Sequence, residues 1–310
     1  MLKRSFLIFL PLFFWSCQII PPDLEWEDLE SDHDPVLNIV GVLSTDSLGI
    51  NFIRVHRTLR LDEASDTLIR QIGNDGELYI SYGSRFLVRD AEVIVSNGTK
   101  DYEFEFVKWA YEDGGQYVYN GDDLFPKPNE TWTLSVKTPS GLSANGTTII
   151  PPTPIINKTL MPDSFDVSQS INILWAEQDD HYQIINTNNL LSYYLPEKNE
   201  EQDESRLYSE CGYWQQELIE PGDTKWIYRK EYCGNIINPE LGETIEDYLM
   251  IKLMSIDSNY YNYFIKFGSD AEFASLFLGQ GGSGQSIGIE EGIGVFGSIG
   301  VDRHWIPIKR

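Results

Sequence analysis

The stretch DAEVIVSNGTKDYEFEFV, residues 90–107, alternates apolar and polar side chains on both sides of an Asn-Gly pair. Val93 and Val95 would share one buried face with the aromatic residues that follow the pair, and Glu103 would face water, because successive strand residues point to opposite faces. The Asn-Gly pair at 97–98 is the signal of a type I′ turn. The stretch therefore predicts an antiparallel β-hairpin with one buried face.

The same alternation recurs in short segments from residue 36 to residue 150, for example in ETWTLSVKT at 130–138. About seven such strands separated by turn residues are typical of an antiparallel β-sandwich. The prolines of PPTPI, residues 151–155, cannot continue a strand ladder. We therefore predict an N-terminal sandwich at 36–150, a linker at 151–155 and a second β-rich domain at 156–310.

The second domain opens with INILWAEQDDHYQIIN, in which Ile171, Ile173 and Trp175 alternate. The acidic stretch LPEKNEEQDESRLYSE at 195–210 predicts a long exposed insertion, and DYLMIKLMSI predicts a strand. SNYYNYFIKFG fits either a strand or a helix, and we predict the helix, with Ser258 as its N-cap. The fold class is all-β, with two antiparallel β-sandwich domains of the immunoglobulin or fibronectin type and a short helix in the second.

The N-terminus has the features of a secretory signal. Lys3 and Arg4 precede the apolar run SFLIFLPLFFW, which is shorter than the roughly 20 residues that a membrane span requires. Ser16 and Cys17 follow, and a small residue before cysteine resembles the lipobox of bacterial lipoproteins. The resemblance implies a signal peptide at 1–16 and acylation of Cys17; the alternative is an ordinary signal peptide. Residues 17–35 are strongly acidic and predict a solvated tether.

Removing Cys17 for lipid leaves two of the three cysteines, Cys211 and Cys233. In an oxidising envelope compartment they can form a disulfide, the interpretation we favour over free thiols and over a zinc site. Loss of this disulfide would leave the first domain folded if the linker separates two cores. The formal net charge of −25 repels nucleic acid, so we expect no nucleic-acid partner.

Three patterns suggest chemistry, and we interpret each as structural. GIGVFG at 292–297 matches a dinucleotide fingerprint, but it lacks the following helix that the fingerprint requires. Ser286 lies in a G-x-S-x-G match, with Asp302 and His304 after it, yet glycine-rich chain replaces the strand and helix of a nucleophile elbow. The acidic turn with His181 could offer ligands to a divalent cation, although a solvated turn is the simpler interpretation. We therefore predict no catalytic, cofactor-binding or metal-binding residues and no cofactor.

The order of several segments resembles the Bacteroidota outer-membrane lipoproteins known as domain of unknown function 4249. After the lipobox-like start, these segments are NIVGVLS, DAEVIVSNG, GQYVYNGDDLFPKPNETWTLSVKTPSG, IPPTPII, YYNYF and EEGIGVFGS. The resemblance implies that the glycine-rich stretch near the C-terminus leads into an edge or closing strand. It also implies a protein that accompanies energy-coupled outer-membrane receptors, without established activity.

These observations predict a non-catalytic lipoprotein, anchored at the outer membrane through Cys17 and facing the cell exterior. It would be an accessory or ligand-binding module of a nutrient uptake system, with an outer-membrane receptor barrel as its partner. A small nutrient, a sugar or a peptide could stack on exposed aromatic residues, of which the candidates are Trp109, Tyr111, Trp214 and Trp226. The alternative is a structural or adhesive envelope lipoprotein without an uptake role.

Overall fold

The chain is an all-β protein. Residues 35–59 together with those from 64 onwards form one compact unit, to which Asp34, Arg60 and Glu63 do not belong. A computed structural model describes residues 34–49, 51–60, 63–64, 66–72, 78–109, 114–166, 169–178, 180–193, 206–209, 215–229, 244–266 and 285–309.

The N-terminal half of the described chain contributes only strands, in agreement with its alternating pattern. They are β1 (Leu37–Ser44), β2 (Phe52–Arg57), β3 (Asp66–Ile72), β4 (Leu78–Ser84), β5 (Glu92–Ser96), β6 (Asp101–Lys108), β7 (Gly115–Val118), β8 (Thr131–Lys137) and β9 (Ser143–Ile149).

The C-terminal half adds strands and two short helical segments. A 3₁₀ turn lies at Lys158–Leu160, and a helix, α1 (Ser258–Tyr260), continues into a π-helical turn at Tyr261–Lys266. The strands are β10 (Phe165–Asp166), β11 (Ile171–Leu174), β12 (Gln183–Tyr193), β13 (Arg206–Ser209), β14 (Gln215–Ile219), β15 (Lys225–Tyr228), β16 (Thr244–Ile256), β17 (Ser286–Ile287), β18 (Ile289–Glu290) and β19 (Gly292–Lys309).

The hairpin predicted from residues 90–107 is confirmed. Strands β5 and β6 pair antiparallel, with Val95 opposite Tyr102, and both side chains are buried. The turn is not of type I′, because that type needs positive φ at both central residues and here only Gly98 has it, at 80°. The side chain of Asn97 instead accepts hydrogen bonds from the backbone N–H of Thr99 and Lys100, so the connection is a longer loop.

The first core lies on the inner side of a curved sheet, and the sheet bends at strand β6. The first half of β6 pairs with β5 and its second half pairs with β7, so this strand belongs to two faces. Trp132, Leu134 and Val136 point inward from β8 as their alternation predicts. Ile289 and Phe296 are buried in the same core although they come from the C-terminal half of the chain.

The C-terminal strand β19 connects the two halves, which the sequence-based domain division does not anticipate. Its first part pairs parallel with β1, from Gly292 opposite Leu37 to Ile299 opposite Ser44. Its second part pairs antiparallel with β16. Strands β10 and β17 also lie parallel to β19, so the sheet is mixed and not antiparallel throughout as predicted. Fifteen of the described strands form this one sheet.

The glycines of GIGVFG have structural roles in strand β19. Gly294 has φ of 110°, and a Cβ there would lie 1.9 Å from the carbonyl oxygen of Ile39 on the neighbouring strand. Gly297 lies under helix α1, where a Cβ would be 3.1 Å from the backbone nitrogen of Tyr260. GIGVFG thus lies within a strand and not at the start of a helix, as its structural interpretation expects. The family resemblance implies that this stretch leads into an edge or closing strand, but the stretch is itself part of β19, which lies between β1 and β16 in the sheet.

The second core and a third cluster occupy opposite faces of the sheet around β12, β16 and β19. Ile185 and Ile251 face the second core, while Ile184 and Met254 face the third cluster, as expected for strands buried on both faces. Helix α1 and its π-helical turn cover this third cluster with Tyr260, Tyr263 and Phe264. Ile171, Ile173 and Trp175 are buried as their alternation predicts.

The predicted acidic insertion at 195–210 is partly strand. Arg206–Ser209 forms β13 and pairs with the end of β12, while residues 194–205 and 210 lie outside the described residues. In the part of the chain that the structure describes, no helix is long and apolar enough to cross a membrane.

Candidate functional site

A pocket of about 540 Å³ opens where the linker joins the two halves of the chain. It lies between the end of β9, the turn before β12 and the start of helix α1, so both halves contribute to it. Most of its lining residues are of polar type, although apolar atoms make up the larger part of its surface. The residues are Asn129, Thr147, Thr148, Ile149, Ile150, Pro151, Asp180, His181, Tyr182, Ile256, Asp257, Ser258, Asn259, Tyr261 and Asn262.

Asp257 is the buried acid of this pocket, with only 6% of its surface exposed. Its carboxylate caps helix α1 by accepting a hydrogen bond of 2.8 Å from the backbone N–H of Tyr260. Asp257 therefore takes the N-cap position, one residue before the predicted Ser258, while the predicted helix itself is confirmed. An aspartate at this position satisfies an otherwise unpaired N–H and complements the helix dipole.

A chain of short polar contacts leads from Asp257 across the sheet. The Oγ1 atom of Thr148 lies 2.6 Å from Oδ2 of Asp257 and 2.9 Å from Oγ of Ser298. The Ser298 hydroxyl in turn lies 3.0 Å from the carbonyl oxygen of Ile149. These three contacts each need one hydrogen, but the two hydroxyl groups supply only two.

In the ionised form, Asp257 accepts a hydrogen bond from the Thr148 hydroxyl. When Asp257 is protonated, it supplies the third hydrogen: its carboxyl group donates to Thr148, Thr148 donates to Ser298, and Ser298 donates to the Ile149 carbonyl. Burial raises the pKa of Asp257 to about 6, and the hydrogen bonds that the ionised carboxylate accepts from Thr148 and from the Tyr260 N–H oppose this shift. Burial also raises the pKa of Tyr260, with Asp257 adding to the shift.

Two tyrosines from distant parts of the chain form the aromatic wall of the pocket. The rings of Tyr182 and Tyr261 stack with centroids 4.1 Å apart and an interplanar angle of 12°. A hydrogen bond between the two side chains raises the pKa of Tyr182. Asn259 fixes the neighbouring segment, since its Nδ2 donates to the carbonyl oxygens of Thr147 and Phe296 at 2.8 and 2.9 Å.

A second pocket, of about 430 Å³, lies beside the turn after β1 and the segment after β7. Val107 and Phe125 line it, and Phe125 is 59% exposed. Leu48, 70% exposed, belongs to the same turn as the lining residue Asp46. Asp46 forms an ion pair with Arg303 of β19, which ties this turn to the C-terminal strand.

The candidate serine of the G-x-S-x-G match is not in a nucleophile elbow. Ser286 forms part of strand β17, and its hydroxyl donates to the carbonyl oxygen of Ile289. Ser286 pairs with Gly294 of strand β19. Asp302 lies eight residues after Gly294 in β19, and at the usual rise per residue this places the two residues about 26 Å apart. The structure therefore does not bring this serine to Asp302 or His304.

Asp302 has a structural role instead. Its carboxylate accepts a hydrogen bond from the backbone N–H of Ile156 at 2.9 Å and pairs with Lys158 at 2.8 Å. It thus holds the segment after the linker against β19. Burial lowers the pKa of His304, and Lys158 adds to this effect against that of Asp302.

The acidic turn is only partly described. Asp180 and His181 both line the first pocket, while Asp179 lies outside the described residues. Among the residues that the structure describes, no group of three or more His, Cys, Asp or Glu side chains is placed to hold a metal ion. Cys17, Cys211 and Cys233 also lie outside the described residues, so the lipidation and the disulfide stay predictions.

Of the four aromatic residues considered for stacking, two are described. The ring of Trp109 lies under the guanidinium of Arg54, 4.9 Å from ring centroid to Cζ. Trp226 packs against the second core, and its indole N–H donates to Glu217. Neither lines the first pocket. Tyr111 and Trp214 lie outside the described part of the chain.

The residues that build the pocket gave little signal in the sequence. Tyr182 and Tyr261 meet only through the fold, because they are far apart in the chain. Thr148 and Ser298 look like ordinary strand residues. Asp257 had a usable signal, since aspartate before a helix is a strong N-cap, and the adjacent Ser258 masked it.

These features define an all-β protein in which one C-terminal strand joins two cores and a polar pocket opens at their junction. The chain belongs to the family of a domain of unknown function, DUF4249, whose sequence model matches residues 24–304. The family resemblance drawn from the order of the segments is therefore confirmed. No curated protein matches the sequence.

Proposed function

We propose that the chain is a non-catalytic lipoprotein, anchored in the outer membrane through Cys17 and facing the cell exterior. In this proposal it serves a receptor-type nutrient uptake system as an accessory or ligand-binding module. The signal features, the lipobox-like Ser16-Cys17 pair and the acidic tether support the anchor and the location.

The observation that carries the binding role is the polar pocket at the junction. Ligand sites are commonly concave pockets in which aromatic rings and a few polar groups converge, and this one combines a stacked pair of aromatic rings with several amide and hydroxyl groups. The candidate nucleophile Ser286 is separated from its supposed partners and bonded to the Ile289 carbonyl, which favours recognition over chemistry.

A structural or adhesive envelope protein is the second candidate. Leu48 and Phe125 expose large apolar side chains next to the second pocket, and a contiguous apolar patch there would offer a surface for protein contact. A partner docked there would need no ligand in the first pocket.

The two candidates are separated by purification from native membranes in mild detergent. For an uptake module, a receptor barrel accompanies the wild-type protein, and deletion of the gene slows growth on at least one nutrient. The same purification with a Phe125→Asp variant tests the adhesive surface, because this variant should lose the co-purifying partners. Leu160→Asp, at another exposed apolar position, is the control and should retain them. If no barrel co-purifies and growth is unchanged on every nutrient, the uptake role is wrong and the adhesive role takes its place.

A further inference from the structure

The chemistry of the junction pocket restricts what it can bind. None of the described residues that line it is a lysine or an arginine, and its charged candidates are Asp180 and the buried Asp257. An anionic ligand would therefore lack a counter-charge and face the exposed carboxylate of Asp180. A wholly apolar ligand would cover amide and hydroxyl groups without satisfying their hydrogen bonds, which costs free energy for each group that it buries.

We propose that this pocket binds a neutral saccharide unit of an oligosaccharide. The inference rests on the proposed binding function and names the ligand class of the same site. In this arrangement the ring surface that remains exposed on the stacked Tyr182–Tyr261 pair packs against the C–H face of a sugar ring, since both tyrosines line the pocket and both are only partly buried. The amide groups around it supply both donors and acceptors, which is what sugar hydroxyl groups require.

The polar groups are arranged around the aromatic wall on three different elements. Asn129 lies in the turn before β8 with φ of 67°, an unusual conformation for a residue other than glycine. Asn262 is half-buried in the π-helical turn, one residue after Tyr261. Asp180 and His181 approach from the turn before β12. A sugar ring on the tyrosines would thus have hydrogen-bonding groups along its edge.

Asn259 and Asp257, which form the floor of the pocket, already have hydrogen-bond partners within the protein and leave no unpaired charge for a ligand to meet. Asn259 donates from its amide nitrogen to two backbone carbonyl groups, and Asp257 is engaged with Thr148 and the helix N–H. These two residues fix the shape of the pocket. The ligand would instead be bound by the polar side chains around the tyrosine pair, which we call the rim: Asn129, Asp180, His181 and Asn262. A rigid, preformed site loses less free energy in ordering its side chains on binding.

The test is a screen of the full-length protein in detergent against an array of neutral gluco-, galacto-, manno- and xylo-oligosaccharides. Calorimetry with the best binder then compares Tyr261→Ala with Tyr261→Phe. The alanine variant is expected to weaken binding by about two- to tenfold, because it removes the stacking ring. The phenylalanine variant keeps the ring and is expected to retain most of the affinity.

Two further variants test whether the sugar binds in this pocket and not elsewhere on the protein. Asn262→Ala removes a rim amide without touching the tyrosine pair and is expected to weaken binding. Phe125→Ala removes an aromatic side chain from the other pocket and is expected to leave binding unchanged.

Absence of binding to every oligosaccharide on the array would overturn the inference. It would also be wrong if Tyr261→Ala and Asn262→Ala bound the sugar as tightly as the wild type, or if trialanine peptide occupied the pocket in place of the sugars. The receptor experiment is independent of this result. A receptor that co-purifies with a protein unable to bind sugar would leave the uptake proposal standing and refute only the ligand class.

Discussion

Replacing Asp257 by asparagine tests whether the protonated form of Asp257 supplies the third hydrogen of the hydrogen-bond chain at the junction pocket. An asparagine there can accept the hydrogen bond from the Tyr260 N–H through its carbonyl oxygen and donate to Thr148 through its amide. Thr148 can then donate to Ser298, and Ser298 to the Ile149 carbonyl, as in the chain that the distances define. The substituted side chain therefore resembles the protonated acid in shape and in hydrogen bonding, and it carries no charge at any pH.

The expected magnitude follows from the raised pKa of Asp257. The ordinary value is 3.8, and burial raises the pKa to about 6 in the folded protein. The folded state therefore binds more protons than the unfolded state between these values, so the stabilising contribution is complete below about pH 4 and is lost as the pH rises through about 6. The difference corresponds to about 3 kcal/mol of unfolding free energy.

Guanidinium unfolding of the wild type and of Asp257→Asn, measured from about pH 4 to about pH 8, gives this contribution directly. The other carboxylates are common to both proteins and cancel in the difference. We expect the two to be similarly stable near pH 4, and the variant to be more stable near pH 8 by up to about 3 kcal/mol. A variant that is less stable by the same amount at every pH would refute this role of the protonated form.

Three other predictions follow from the chain. Gly294→Ala is expected to destabilise the protein by at least about 2 kcal/mol in chemical denaturation, because its Cβ would meet the Ile39 carbonyl and its φ is strained. Gly98→Ala, which has positive φ but no atom within 4 Å, is the matched control and should cost only about 1 kcal/mol. Cells fed a clickable fatty acid should label the wild type and not Cys17→Ala, and an equally labelled variant would contradict the lipid anchor. A non-reduced digest should contain the Cys211 and Cys233 peptides joined, and two free thiols would exclude the disulfide.

Local patterns in the sequence predicted local structure well. The period-two alternation around Val93 and Trp132 identifies which face of each strand is buried, because it depends only on neighbouring residues. The helix at 258 was predicted from its aromatic spacing and its end signals. The predicted type I′ turn at Asn97 was wrong. In the longer loop the Asn97 side chain accepts hydrogen bonds from two backbone N–H groups, and these bonds compete with formation of the two-residue turn.

Long-range pairing was not predictable from these patterns. The sequence shows that 292–300 can form a strand, but not that its partner is β1 in parallel, which lies in the opposite half of the chain. The junction pocket depends on the same kind of information, since Tyr182 and Tyr261 become neighbours only when β12 and β16 pair. Residue type alone could not distinguish them from the other tyrosines of the core.

The position of β19 changes how the two halves should unfold. The prolines of the linker predict separate cores, and on that basis the first domain would survive damage to the second. Yet β19 runs without a break from its pairing with β1 to its pairing with β16. It also places Phe296, with none of its surface exposed, in the first core.

Detaching β19 with the second half would remove this phenylalanine from the first core and open the edge of β1. Loss of a buried phenylalanine side chain alone costs about 3–5 kcal/mol, a large part of the roughly 5–15 kcal/mol that stabilises a typical domain. The first core is therefore not expected to outlast the second. Reduction of the predicted Cys211–Cys233 disulfide should therefore lower the stability of both cores together. Strand β19 belongs to both cores and has to leave both of them in the same unfolding step.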